Sequence, residues 1–160
     1  MLTYCIKKLD GEVLKRTVSR DDILSKRFDR RLCEQFLEDV GKLDRVVGYY
    51  SSRYDVPFIR TRCLTHGIDF PPFGSVFHSD AYYAVRSKLK LHSNRLEAAC
   101  TALGIPSKGH KLSPMLWRDA GVGDKKALAH VLAHNVEDVE SLETLWKRLQ
   151  GYHKVNKTSI

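Results

Sequence analysis

Residues 45–62 read RVVGYYSSRYDVPFIRTR. The stretch RVVGYY is short, apolar and rich in residues that favour a pleated surface, so it reads as a buried strand. Residues 56–67, VPFIRTRCLTHG, read as a helix with Pro57 in its first turn and Gly67 beyond its end. A strand therefore feeds a helix through an acid, Asp55. A carboxylate at that place has two readings. It is a cap for free N–H groups at the helix start, or it is a ligand at the carboxyl end of a strand, where open α/β sheets bind ligands and metals.

The flanking sequence supplies the rest of an alternating pattern. Upstream, MLTYCIKKLDGEVLKRTV (1–18) predicts a hairpin with Asp10-Gly11 as its turn. From Asp21, Leu24, Phe28, Leu32, Phe36 and Val40 recur every four residues, predicting one amphipathic helix capped by Asp21 or Asp22 and ended at Gly41. Downstream, SVFHSDAYYAV (75–85) is a strand running to Asp80, and 93–104 is a helix capped by Ser93 and stopped at Gly104. A loop, a short element at 117–119, and a long helix from about Lys125 to Gln150 follow. Hairpin, helix, strand, helix, strand, helices: the order predicts one three-layer α/β domain with a mixed sheet over residues 1–150, and a polar, mobile tail at 151–160.

With 160 residues, 42% hydrophobic and 29% charged, the chain has the composition of a single globular domain. Lys and Arg number 27 against 19 acids, a net charge of +8, which favours polyanionic partners: nucleic acid first, an acidic membrane surface second. The four cysteines form no CxxC pair, so neither a disulfide framework nor a zinc ribbon is expected, and reduced thiols in the cytoplasm are. No apolar run is long enough to span a bilayer, and the N-terminus lacks the apolar core of a signal peptide.

The long helix carries a second constellation, HVLAHNVEDVESLETLW (130–146). At about 100° per residue, Leu128, Leu132, Val139, Leu142, Trp146 and Leu149 form an apolar stripe. His134 and Asp138 fall on its shoulder, and Asn135 falls inside it, where a buried amide requires a fixed partner. A histidine and an acid four residues apart are a surface pair on one reading. On another, His130, His134 and Asp138 are metal ligands on one face, although Val131 stands where the zinc-protease HExxH has its glutamate.

GYYSSRYDVPFIRTR (48–62) and HNVEDVESLETL (134–145), in this order and joined by a matching central segment, resemble the second and third motifs of the DEDD 3'→5' exonucleases. The likeness is to the branch related to the exonuclease domain of family-B DNA polymerases, which has a ribonuclease-H-like fold, and it runs through nearly the whole chain. The resemblance implies four carboxylates holding two divalent cations, Mg²⁺ or Mn²⁺, which prefer hard oxygen ligands. It implies Asp55 and Asp138 as metal ligands and His134 as the residue that positions or deprotonates the attacking water. Tyr54, Phe58, Arg60 and Arg62 would border the groove for single-stranded or frayed nucleic-acid 3' ends, with Lys108 and Lys111 meeting phosphate. Asp80 is an auxiliary acid or the cap of the next helix, and Asn135 is a possible auxiliary residue.

The sequence departs from that family in three places. The first motif, an Asp-x-Glu on the first and central strand, has no strand to stand on before the hairpin, so the expected sheet lacks its central strand and two of four carboxylates. An open reading frame truncated at its start is the leading expectation; a remnant, or a strand supplied by another chain, are the others. Tyr50 stands five before the acid, where many members carry asparagine, and His134 precedes Asp138 by four residues, the spacing of the tyrosine-type enzymes. Two functions follow: a metal-dependent 3'→5' exonuclease domain, or a catalytically inactive nucleic-acid-binding module on the same fold.

Overall fold

The computed structural model describes residues 1–25, 27–106, 112–154 and 158–160. The hairpin forms as expected: β1 (Thr3–Lys7) pairs antiparallel with β2 (Val13–Thr17), Tyr4 opposite Arg16 and Ile6 opposite Leu14. Its turn is closed by Lys8 N–H to Glu12 C=O at 3.1 Å and Gly11 N–H to Lys8 C=O at 3.0 Å. Asp10-Gly11-Glu12 spells Asp-x-Glu, but it is this turn. Asp10 has a φ of 53° and pairs with Lys147, while Glu12 faces Lys8 at 3.6 Å.

The single helix expected from Asp21 to Val40 is instead two, α1 (Arg20–Leu24) and α2 (Arg30–Val40). The cap is Ser19, whose Oγ accepts from Asp22 N–H at 3.0 Å in a capping box; Asp22 lies inside the helix and neither Asp21 nor Asp22 is the cap. Leu24 and Phe28 are exposed, and Phe28 has a φ of 51°. Two buried acids explain the break. Asp22 takes Arg31 Nη2 at 2.8 Å and Asp29 takes Arg62 Nη2 at 2.6 Å and His66 Nε2 at 2.8 Å. Each buried carboxylate needs such donors, and the turn at Phe28 swings Asp29 towards them at the expense of helical continuity.

Next come β3 (Arg45–Gly48), α3 (Asp55–Thr65), β4 (Phe77–Asp80) and α4 (Ala81–Lys88). β3 and β4 are parallel, from Arg45 opposite Phe77 to Gly48 opposite Asp80, with α3 in the crossover. The two strands thus end level. Helices α5 (Leu96–Ala102), α6 (Pro114–Gly121) and α7 (Lys125–Leu149) complete the chain. Arg95, not Ser93, occupies the cap position of α5; Ser93 Oγ accepts from Arg95 N–H one step outside it. The short element at 117–119 is a full helix, because Ser113 caps it through Leu116 N–H and Pro114 pre-sets its first turn.

The architecture is α/β, but the strands form two separate pairs, one antiparallel and one parallel, in place of one mixed sheet among the described residues. α7 packs along the hairpin and against α4, α5 and α6, and α4 reaches β3. The C-terminal residues, expected to be mobile, add to the edge of β4. His78 N–H donates to Thr158 C=O at 2.7 Å and Ile160 N–H to Val76 C=O at 3.1 Å, and the Ile160 side chain is buried with Val40 and Val76. The open edge of β4 and one apolar side chain outweigh the polarity of the residues between.

Where β3 ends, there is room for no side chain. A Cβ on Gly48 would lie 1.9 Å from Ser51 Oγ and 2.4 Å from Ser51 Cβ, and Ser51 is itself buried and hydrogen-bonded. Gly48→Ala is therefore expected to destabilise the protein by about 2 kcal/mol or more, measured by denaturant unfolding. Unchanged stability would mean that the turn after β3 is loose enough to move aside.

Candidate active site

The carboxyl ends of β3 and β4 meet at a turn, residues 49–54, that leads into Asp55. Asp80 fastens this turn. Its carboxylate accepts from Tyr50 N–H at 2.7 Å, Ser52 N–H at 3.0 Å, Ser52 Oγ at 2.6 Å and Tyr82 N–H at 3.1 Å. The last bond makes Asp80 the cap of α4, the second of its two sequence readings. With four donors in place its oxygens are committed.

Asp55 is the first residue of α3, and the cap position before it, Tyr54, makes no side-chain cap bond. Asp55 thus stands inside the helix and not at its cap. Desolvation raises its pKa above the ordinary carboxylate value, the Asp80 charge adds to the rise, and a hydrogen bond from its own backbone opposes it. The side chain still reaches solvent, so the shift is a bias and not a lock.

Below the turn lies a pair absent from the sequence reading. Ser51 Oγ is 2.9 Å from His78 Nε2, and both residues are buried. Burial lowers the His78 pKa, with Asp80 opposing and Arg45 assisting. Serine, histidine and aspartate are close together here, yet they are no hydrolytic relay: Asp80 accepts nothing from His78, and Ser51 is only 6% exposed. The pair supports the turn. The spacing of Ser51 and His78 gives no sequence signal, because it depends on the register of β3 against β4.

On α7 the expected stripe is displaced in part. Leu128, Trp146 and Leu149 are buried as expected, but Leu132, Val139 and Leu142 are only partly so, and Ala127, Val131 and Leu145 are buried in addition. Asp138 stands seven residues after Val131 and seven before Leu145, which at 3.6 residues per turn puts it on the line of the buried face and not on its shoulder. His134, Asn135, Glu137, Asp138 and Ser141 give α7 a largely polar stretch between two apolar clusters. One joins Leu128 and Val131 to the hairpin and α2; the other joins Leu145 and Leu149 to α4 and α5. In this stretch Asp138 keeps 50% of its side chain exposed and pairs with His134 Nε2 at 3.3 Å. Burial raises its pKa first, His134 pulls it back, and Glu137 pushes it up again. Asn135 has the partner it requires: its amide donates to Thr3 Oγ1 on β1.

The residues expected along a substrate groove divide. Tyr54 at the cap position of α3 and Phe58 four residues on are exposed, with parallel rings whose centroids are 6.2 Å apart. Arg60 lies 5.1 Å over the Phe70 ring. Arg62 is turned away from any groove, because its Nε and Nη2 grip Asp29 at 2.9 and 2.6 Å. Lys108 and Lys111 lie outside the described residues. The structure brings together Asp55 with Asp80 and His134 with Asp138, and no hydrogen bond or ion pair among the described residues joins one pair to the other.

For a divalent metal the donor sets differ. Asp55 and Asp138 offer carboxylates that pair with no lysine or arginine among the described residues, and hard oxygen donors of this kind fit Mg²⁺ or Mn²⁺. Asp29, Cys33 and His66 also converge within 4.8 Å. That group does not fit a metal: Asp29 is already held by Arg62 and the Met1 amine, and burial pushes the Cys33 thiol up to about 12. The group is a buried ion-pair knot in which one carboxylate meets two cations, Arg62 and the Met1 amine. Burial alone would raise the Asp29 carboxyl, but Arg62, His66 and the Met1 amine hold it far below the usual range.

The RNase_H_2 family model, of the RNase H superfamily, matches residues 3–150. The chain belongs to that family. No curated protein and no solved structure matches it.

The His78 ring sets a pH response. Because the folded state lowers its pKa from 6.5, the stability it contributes is complete above that pH and is lost as pH falls below it through the folded value. The melting temperature is expected to hold steady from about pH 8 to 7 and to decline from about 6.5 to 5. His78→Gln should flatten that decline, and parallel curves for the two proteins would assign it to other groups.

Proposed function

We propose that this member of the RNase_H_2 family is a metal-dependent nuclease that removes nucleotides from the 3' ends of single-stranded or frayed nucleic acid. The observation that carries the reading is Asp138: a half-exposed carboxylate on the buried line of α7, desolvated enough to raise its pKa, with an imidazole 3.3 Å away.

On this reading Asp55 and Asp138 give the oxygen ligands and His134 takes the proton of the attacking water. Bound Mg²⁺ or Mn²⁺ would supply charge for the water and for the leaving 3'-oxygen. Asp80 does not ligate; it keeps Asp55 in place through the turn. Tyr54, Phe58 and Arg60 border the strand, while Arg62 serves the fold.

A binding module without catalysis is favoured by one observation: Asp80 is fully occupied, which leaves only Asp55 and Asp138 of the three candidate acids open to a metal. The two readings separate in a nuclease assay on 3'-labelled single strands. The first expects nucleotide release with Mg²⁺ or Mn²⁺, abolished by EDTA. It also expects a loss on the order of 100-fold in Asp138→Asn, with the melting temperature nearly unchanged. Binding without release, indifferent to EDTA and falling steeply with salt, would replace it with the second reading.

A further inference from the structure

The turn that presents Asp55 also joins a group of aromatic rings, of which Tyr49 packs against the core and the others reach outward. Tyr82 on α4 is their hub. Its ring meets Tyr50 edge-on at 4.8 Å, Tyr83 at 5.2 Å and Tyr49 at 5.9 Å. Tyr49 is the buried end of the group, with its hydroxyl donating to Asn94 C=O at 2.6 Å. Tyr50 and Tyr83 are the open end, 46% and 40% exposed.

Tyr50 is held there against local preference. Its φ of 58° is the left-handed region, which a bulky side chain rarely occupies. The surrounding bonds enforce it: Tyr50 N–H goes to Asp80, and its C=O receives Tyr54 N–H at 3.1 Å. An asparagine or glycine would take this conformation easily. A strained, solvent-facing aromatic is poorly explained by folding.

A cation stands beside the rings. Arg53 Nε donates to the Tyr83 hydroxyl at 3.3 Å, and its guanidinium makes no ion pair with any acid among the described residues. Rings with open faces and an arginine free for phosphate are the pairing by which single strands are held without reading their sequence. The net charge of +8 adds the long-range attraction.

We infer that Tyr50, Tyr82 and Tyr83, together with Arg53, form a stacking platform for the unpaired bases of a single-stranded nucleic acid, next to Asp55. Tyr50 and Tyr83 offer the faces, Tyr82 sets their angle, and Arg53 meets the backbone. The inference rests on the nucleic-acid substrate of the proposed function, and not on its metal chemistry.

The test is fluorescence anisotropy of a labelled single-stranded oligonucleotide in EDTA, with the full chain, so that hydrolysis cannot intervene. Tyr50→Asn removes the ring while relieving the backbone, so it should keep or raise the melting temperature and still weaken binding about fivefold or more. Tyr83→Ala should do the same to binding, and Arg53→Ala should reduce the salt slope by about one. The matching duplex should bind at least about tenfold more weakly than the single strand. Unchanged affinity in Tyr50→Asn and Tyr83→Ala, or equal binding of duplex and single strand, would overturn the platform even where metal-dependent hydrolysis is observed. Platform binding that persists in an Asp138→Asn protein, with no hydrolysis by the wild type, would uphold it while overturning the nuclease reading.

Discussion

The Asp80 carboxylate is the contact on which the candidate site depends. Four donors from two segments, the turn after β3 and the first turn of α4, converge on its two oxygens. A carboxylate with its hydrogen bonds complete is a strong fastener, and charge-assisted bonds to backbone N–H groups are among the shorter and stronger kinds. Releasing it would free Tyr50 from a conformation it does not prefer and let Asp55 move with the turn. The parallel register of β3 and β4 matters for the same reason. Gly48 opposite Asp80 brings the acid level with the turn it holds, and the missing Cβ at Gly48 leaves space for Ser51 to reach His78.

Acids in this chain fall into two kinds by their surroundings. Asp22, Asp29 and Asp39 have arginine or other donors against them, and their pKa values are lowered. They join elements: Asp29 ties α2 to α3, and Asp39 receives the Tyr4 hydroxyl from the hairpin at 2.7 Å. Asp55 and Asp138 are instead raised, with burial as the largest cause and no arginine to relieve it. Acids whose surroundings disfavour the charged form are found more often at functional sites than elsewhere. The division separates structural from candidate functional acids more sharply than sequence position does.

Local signals are legible in the sequence and long-range ones are not. Asp80 at a strand–helix junction announces a cap, and Asn135 within an apolar helix announces a partner, found in Thr3. The break at Phe28 is hidden, because the four-residue period continues through it; only the donors waiting on α3 make the turn worthwhile. Arg62 reads as a groove cation because its partner, Asp29, lies 33 residues earlier. Ile160 reads as tail because a free edge on β4 cannot be seen from composition. The buried face of α7 keeps Leu128, Trp146 and Leu149 from the stripe that periodicity suggests but is turned towards Val131 and Leu145, which moves Asp138 from the margin of the buried face to its line.

The central claim is that Asp55 and Asp138, and not the Asp29–Cys33–His66 cluster, bind a divalent cation. Electron paramagnetic resonance of free Mn²⁺ during titration with the protein tests this directly. Asp55→Asn and Asp138→Asn should each leave most of the Mn²⁺ free at concentrations where the wild type binds it. Cys33→Ser should bind as the wild type does. Equal binding by the wild type and both aspartate variants, or a loss confined to Cys33→Ser, would contradict the account.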